Sequence, residues 1–527
     1  MTRLATNGRL KGRTIGIDLG SDNSVAAAIG EDGEARVIPG RAGGNVVPSV
    51  VTLVEGEGGE TELFVGAAAA RAATPPEDRV QGFKQLMGRR FGDDDVKRFA
   101  RSRPYAVVPA PNGDAWVQAR GLALSPPELS ALVLRELRAA AEAHFGEQVD
   151  QAVITVPARF DHEQRRATRD AAEIAGLDVR RLLNEPTAAA LGFGAHRGAD
   201  RRLAVCDMGG GTFDVSILNV EQGVIEVIST SGDLFLGGED VDRLMLERLV
   251  DEIWQVHRLE VASDPPSLRR LKDECRAAKH RLSQAARTDL AMVLAVGNAA
   301  PLEYRRTVRR DELEFWTESF LDLLESPCLE AAARCGLRPG DVDEVLLVGG
   351  ATRMPSVQRK LAGIYGRQPT LASPEIVALG AATLGAVLDG AYDGVAVLDV
   401  TSRAIGVHMG DGKYQTVIAR NTTVPTREHK IICTTHDGQR ELELDVYEGE
   451  SPAVADNRLL GRFVCSGLPQ APAGQVIVVL DFTVDVDGTL RVSAAEMGSG
   501  QRPKLHLRAT AGLTRTHVRS LRDGLAG

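Results

Sequence analysis

"LAVCDMGGGTFDVSIL", residues 203–218, decides the fold. Leu203 to Cys206 read as a buried strand that ends on Asp207. Gly209, Gly210 and Gly211 follow, then the hydroxyl of Thr212, then a second apolar run. Glycines let backbone N–H groups approach phosphate oxygens, and the hydroxyl adds a donor. An acid at the strand end suits a magnesium ion, usually held through water. The stretch "TIGIDLGSDNS", residues 14–24, repeats the plan with Asp18, Gly20 and Ser21, and "VLLVGGATRM", 345–354, is a weaker third copy. A lone glycine turn is commonplace. A duplicated Asp-x-Gly turn with a third glycine pair predicts a nucleotide site.

Around these turns, up to about residue 393, apolar strands alternate with amphipathic or Ala-rich helices. "DHEQRRATRDAAEIAG" predicts a helix opened by Asp161 and closed at Gly176. The fold class is therefore mixed α/β. After residue 400 the grammar changes to period-two alternation, in "KIICTTHDGQRELELDV" and "VIVVLDFTVDVDGTLRVSA". Asp437-Gly438 and Asp487-Gly488 predict hairpins there, with Asp411-Gly412 a third, because both turn residues need positive φ. Residues 401–510 thus read as an antiparallel β-sandwich. Between the regions, "GVAVLDV" (394–400) is too apolar for a solvated linker and is expected to dock.

The 527-residue chain carries 43% hydrophobic and 25% charged residues, an ordinary balance with ample apolar surface for cores. Its net charge of −10 argues against a nucleic-acid-binding role. No apolar run reaches the ~20 residues that span a bilayer, and the basic N-terminus lacks the apolar segment of a secretory signal. Six scattered cysteines without a C-x-x-C pair fit reduced thiols in the cytoplasm.

The chain resembles the 70-kilodalton heat-shock chaperones of DnaK type. The resemblance rests on "IGIDLGSDNS", "GFKQLMGRRF", "ITVPARFDHEQRRATRDAAEIAGL", "RLLNEPTAAALGFG", "DMGGGTFDVSIL", "GDLFLGGEDVD" and "VLLVGGATRMPSVQRKL". It continues through "VLDVT" and "IARNTTVPT" to "DVDGTLRVSA", in family order over nearly the whole chain. It implies an actin-like ATPase over residues 1–393, with two ribonuclease-H-like lobes around a nucleotide cleft. A linker at 394–400, a peptide-binding β-sandwich at 401–510 and the start of a lid helix at 511–527 follow. ATP and Mg²⁺, with K⁺ in support, are the implied cofactors. Extended hydrophobic peptides, a J-domain cochaperone and a GrpE-type exchange factor are the implied partners of a monomer that hydrolyses ATP slowly.

The resemblance also implies roles for single residues. Lys84 contacts the γ-phosphate and positions the attacking water. Glu185, placed at a helix entrance by Pro186, meets the metal-phosphate cluster through water. Asp18 and Asp207 surround the ions, and Thr212 and Asp214 stand near the γ-phosphate. Gly20, Ser21, Asp22 and Asn23 form one phosphate turn and Gly209 to Thr212 the other. Gly237, Gly238 and Glu239, with Gly349, Gly350 and Arg353, lie on the ribose and adenine side, where Lys279 and Ser283 touch the nucleoside.

Pro157 and Arg165 relay between cleft and linker, the latter represented by Val397, Leu398 and Asp399. Asn184, Arg181 and Asp399 match positions that meet a J-domain. Val407, Ile432, Leu442, Leu444 and Val478 match the lining of the peptide groove, and Gly410 and Thr435 its arch.

Five departures stand out. Asp22 replaces a hydroxyl residue, and a carboxylate ~5 Å from a phosphate costs about 3 kcal/mol at an effective dielectric near 20. Arg276 stands where an acid touches the ribose, His280 where a residue stacks on adenine, and Ala351 replaces a small polar residue by the base. The strip Val395–Leu398 is smaller than the family's leucines, which predicts docking weakened by about 2 kcal/mol at ~0.8 kcal/mol per methylene. "GLTRTHVRSLRDGLAG" (512–527) begins a lid helix on the stripe Val518, Leu521, Leu525 and then ends, which predicts fast peptide exchange. These departures also fit an ATP-binding scaffold with one dedicated partner and little turnover.

Overall fold

The computed structural model describes residues 13–56, 58–233, 235–297, 300–392, 394–408, 412–497, 504–509 and 512–526. They fall into two compact units. The first comprises residues up to 199, then 220–228 and 375 onward; the second comprises 200–219 and 229–374.

In the first unit, the strands Asp178–Asn184, Gln151–Val156 and Thr14–Leu19 run parallel, and Asn23–Ile29 and Ala35–Ile38 extend the sheet antiparallel. Ile15, Ile17, Ala152 and Ile154 are fully buried in one core with Leu129, Leu134 and Leu137 of the helix Pro126–Phe145. Ser125 and Glu128 close a capping box at that helix's start. The helix Ile376–Leu388 crosses the sheet so closely that a Cβ on Gly16 would meet Ala382 N at 2.1 Å. At its crossing with Glu185–Gly192, a Cβ on Gly380 would overlap the Ala188 carbonyl, so only glycine fits there. The expected helix after Asp161 spans His162–Ile174, with Asp161 and Gln164 in a capping box and Gly176 at positive φ beyond its end.

The same unit holds the β-rich region. Tyr414–Ile418, Ile405–His408, Glu441–Glu448, Arg458–Ser466 and Lys504–Ala509 form one sheet, in that order. Thr426–Cys433, Ile477–Val484 and Leu490–Glu496 form another. Val407, Leu444 and Val446 of the first sheet share a core with Val478, Leu480 and Phe482 of the second. Asp487-Gly488 turns the hairpin of the last two strands as expected, with Gly488 N donating to Asp485 O. Asp437-Gly438 does not turn a hairpin: the strands on either side belong to different sheets. The Asp-Gly geometry is right, yet Ile432 pairs with Val478 and Leu442 with Cys465, so the turn carries the chain between sheets. Strands Ile405–His408 and Tyr414–Ile418 do pair, but Asp411 in their connection lies outside the described residues.

The apolar strip forms the strand Ala396–Val400, parallel to Val224–Glu226 on one edge, while Asp399 and Val400 pair antiparallel with Thr423 and Val424. The helix Arg515–Ala526 seats on the N-terminal core, where Val518 is buried and Leu513 and Leu521 pack. Gly512 N donates to Asp114 at 2.7 Å and Arg515 pairs with Glu173 at 2.8 Å. The Leu525 side chain lies outside the described residues.

In the second unit, Thr370–Leu371, Glu344–Val348 and Arg201–Met208 run parallel, beside Phe213–Glu221. The helices Gly238–His257 and Pro265–Gln284 pack together, with Met245, Leu249, Leu271, Cys275 and Ala278 fully buried. Among the described residues, no helix is long and apolar enough to cross a membrane.

Candidate nucleotide site

Ligands of parallel α/β sheets settle beyond the carboxyl ends of the strands. In the first unit, that edge collects Asp18, Thr155, Pro157 and Glu185. Asp18 is the last but one residue of its strand, and Thr155 on the adjacent strand donates to it at 3.2 Å. Asn184 ends the third strand, so Glu185 opens the helix Glu185–Gly192 with Pro186 in its first turn. Lys84 arrives from the short 3₁₀ turn Phe83–Leu86, and its Nζ donates to Glu185 Oε1 at 2.7 Å. Both partners are largely shielded from water. Burial, then the nearby Glu185 carboxylate, push Asp18 up to about 7 against the opposing pull of Lys84 and Thr155. Two buried carboxylates sharing one lysine are short of positive charge, so the donor set suits a divalent cation. Ser21 and Asp22 are half-buried and Asn23 is exposed in the turn between the first two strands.

The second unit builds its own edge. Asp207 pairs with Val348 across parallel strands, which brings Gly349 against Met208 and the Asp207 carboxylate. Gly349 sits at φ 87°, and a Cβ there would stand 2.5 Å from Asp207 Oδ1. Gly209 N donates to Thr212 O at 3.0 Å, closing the turn. Gly238 N and Glu239 N bond back to Gly209 O and Gly210 O, so the start of the Gly238–His257 helix lies on that turn. At Gly209 and Gly350 the space for a Cβ is open, leaving bare backbone of the kind a phosphate chain requires. Asp214 is buried one strand position beyond Phe213, and Arg353 is exposed.

Lys279 donates to Gly238 O at 2.7 Å and pairs with Asp242 at 2.8 Å, both groups buried. Ser283 turns its hydroxyl onto Lys279 O in its own helix, leaving only its oxygen lone pairs for a ligand. Asp242 was not among the expected residues. Its signal is the spacing in "GGEDVD", which sets an acid one helical turn after the glycines.

A third group ties the β-rich region to the first edge. Asp487 Oδ1 accepts from Leu182 N at 2.9 Å and lies 3.4 Å from Arg181 Nε, and Oδ2 pairs with Arg169. Arg165 donates to Asp487 O at 3.3 Å, to Phe160 O at 3.1 Å and to Asn184 Oδ1 at 2.7 Å. Thr187 donates to Asp399 at 2.7 Å. Arg458 bonds Asp161 and Gly88 O, the latter four residues after Lys84. Sequence reasoning found Arg165 and Asp399 but read Asp487 only as turn chemistry and did not single out Arg458, which no local motif marks.

The expected groove residues Val407, Leu442, Leu444 and Val478 are buried in the shared core, and Ile432 is half-buried. Thr435 is exposed, and Gly410 lies outside the described residues.

His162 Nδ1 accepts the Leu490 N–H at 3.1 Å, which requires a neutral ring nitrogen. Burial, then Arg166, lower its pKa from 6.5 to about 4. Glu448 behaves oppositely: burial, then Asp161, push it up to about 7. When the β-rich region separates, both return to ordinary values. His162 then takes up protons below pH 6.5, so its contribution to the contact is full above 6.5 and fades toward pH 4. Glu448 favours the contact once protonated below about 7, and that gain saturates near 4.5. In wild type the two offset each other. Glu448→Gln is therefore expected to weaken the contact as pH falls from 7 to 5, and His162→Asn to strengthen it. Hydrogen exchange at the Leu182 and Leu490 amides, measured across that range, reads both signs.

Each unit thus carries a glycine turn and an acid near the end of a parallel strand, and the first also carries the β-rich region. A family model described as Hsp70 protein matches residues 14–524, and the chain belongs to the Hsp70 family. The family implies an actin-like ATPase domain and a β-sandwich. Its members are ATPases and chaperones that bind ATP with Mg²⁺, and they generally bind unfolded peptides and cochaperones.

Proposed function

We propose that this chain is an ATP-gated chaperone for short extended hydrophobic segments, with residues 1–393 as the ATPase and 401–510 as the peptide module. Lys84 would orient the water and meet the γ-phosphate, and Glu185 holds that lysine in place. Gly20–Asn23 and Gly210–Thr212 would offer backbone donors to phosphate, with Gly209 N closing the second turn, and Thr212 and Asp214 would stand at its terminal end. Asp18 and Asp207 would hold Mg²⁺, directly or through water, and the ion supplies neutralising charge to the phosphates. Phosphoryl transfer needs little more than such positioning.

The observation that carries the gating is the Asp487 group. Asp487 holds the Leu182 amide, and Arg165 joins Asp487 to Asn184, the residue before Glu185. A change at the Lys84–Glu185 pair therefore has a route of two residues to the β-rich region. In this reading ATP favours the seated arrangement and loosens peptide, and hydrolysis reverses it.

The test is fluorescence anisotropy of a labelled hydrophobic heptapeptide. ATP added to the complex is expected to release peptide within seconds and ADP is not, and Asp207→Asn is expected to abolish the release. Peptide binding indifferent to nucleotide would favour a scaffold with a dedicated partner.

A further inference from the structure

Ser49 grips the turn Gly20–Asn23 at two points. Its N–H donates to Asp22 O at 2.9 Å, and its hydroxyl donates to Gly20 O at 2.8 Å. That hydroxyl has one proton and Gly20 takes it, so in the 2.8 Å bond between Ser49 Oγ and Ser24 Oγ the donor is Ser24. The three groups form one chain, from Ser24 through Ser49 to the Gly20 carbonyl, and bonds in such a chain strengthen one another. Both serines are buried, so water does not compete with it.

In a trans peptide the C=O of one residue and the N–H of the next point in opposite directions. With Gly20 O and Asp22 O both turned onto Ser49, the N–H groups of Ser21 and Asn23 face the other way. Outward backbone donors are what a phosphate seat requires. The grip is on main-chain carbonyls, so it does not depend on which side chain stands at Asp22. Ser49 is also a joint between two sheets. Val47 and Pro48 before it pair with Ser24 and Asn23, and Val50 after it pairs with Gln81, shortly ahead of Lys84 in the chain. The turn and the strand that delivers Lys84 therefore meet at this one residue.

We propose that Ser49, braced by Ser24, is a positioning residue for the phosphate end of the nucleotide. It keeps the Ser21 and Asn23 N–H groups aimed as a pair before the ligand arrives, so that binding does not have to order the turn. The proposal rests on the nucleotide reading given above. Neither serine hydroxyl touches the nucleotide in it; both act through the turn.

Calorimetric titration of the full chain with ADP in Mg²⁺ buffer tests it. Ser49→Ala is expected to bind ADP about 10-fold more weakly, the scale set by a carbonyl that loses its donor. Ser24→Ala keeps that donor without its brace and is expected to lose about threefold. The double variant is expected to stay within about twofold of Ser49→Ala, because the two residues act as one chain. Thr52→Val is the control for a merely structural effect. Thr52 is equally buried and its hydroxyl donates to Ala69 O at 3.0 Å, a bond that lies outside the turn, so its ADP affinity is expected to match the wild type. Hydrogen exchange at the Ser21 and Asn23 amides gives a second readout: ADP is expected to slow it in the wild type and much less in Ser49→Ala. Thermal melts report whether each variant folds, and Ser24→Ala decides the matter if Ser49→Ala does not. Unchanged ADP affinity in the serine variants, or an equal loss in Thr52→Val, overturns the proposal and leaves the nucleotide reading intact. A wild type that does not bind ADP overturns both.

Discussion

Lys84→Met is expected to lower ATP turnover about 10²- to 10³-fold, the usual cost of removing one preorganised charge from a developing transition state. Methionine keeps much of the length and apolar stem of lysine, so packing beneath the Phe160 ring, 5.8 Å from the ammonium, is largely retained. The ammonium is what disappears. Glu185 then loses the partner at 2.7 Å, and Asp18 loses the cation that opposes its neighbour's charge. The two carboxylates are left facing each other in a buried site, which destabilises the empty protein by about 1–3 kcal/mol. A second substitution, Glu185→Gln, is expected to return most of that stability and none of the turnover. Single-turnover phosphate release and thermal melting, run on the wild type, Lys84→Met and the double variant, separate the two effects. Turnover within threefold of wild type in Lys84→Met would remove Lys84 from the chemistry.

Legibility in the sequence followed the range of each interaction. The glycine turns could be read because their geometry is local: strand, acid, glycine and hydroxyl adjoin in the chain, and a φ of 87° demands glycine at Gly349. The helix from His162 could be read because its cap lies within four residues. Asp437-Gly438 misled for the same reason, since turn chemistry is local but strand partnership is not. The pairing of Ile432 with Val478 joins residues 46 positions apart, and nothing near Asp437 encodes it.

Asp487 was hidden in the same way. As the third residue of an Asp-x-Asp-Gly turn it has a sufficient local explanation, and its partners lie some 300 residues earlier. Only the fold shows that Asp485 carries the turn, accepting from Asp487 N and Thr489 N, and so frees the Asp487 carboxylate for other work.

That division makes Asp487→Ala the sharper test of coupling. The turn keeps both Asp485 bonds, so the hairpin and the core around Phe482 are expected to stay folded. What is lost is a buried carboxylate that meets Arg169, Arg181 and the Leu182 amide together. Removing one partner of a buried charge group costs about 3–5 kcal/mol, and Arg169, the more exposed of the two arginines, places this site at the lower end. At 1.4 kcal/mol per decade, the seated population falls about 10²-fold relative to the separated one. Asp487→Asn keeps an acceptor for Leu182 and loses only the charge, so its loss is expected to be smaller. Arg165 still reaches the residue 487 carbonyl in both variants, which makes any remaining coupling traceable to that bond. Peptide affinity without nucleotide is expected to match wild type, while ATP no longer releases the peptide. Release that survives in Asp487→Ala would move the coupling to the strand Ala396–Val400 and its Asp399–Thr187 bond, where the smaller side chains of this linker would then have to carry it alone.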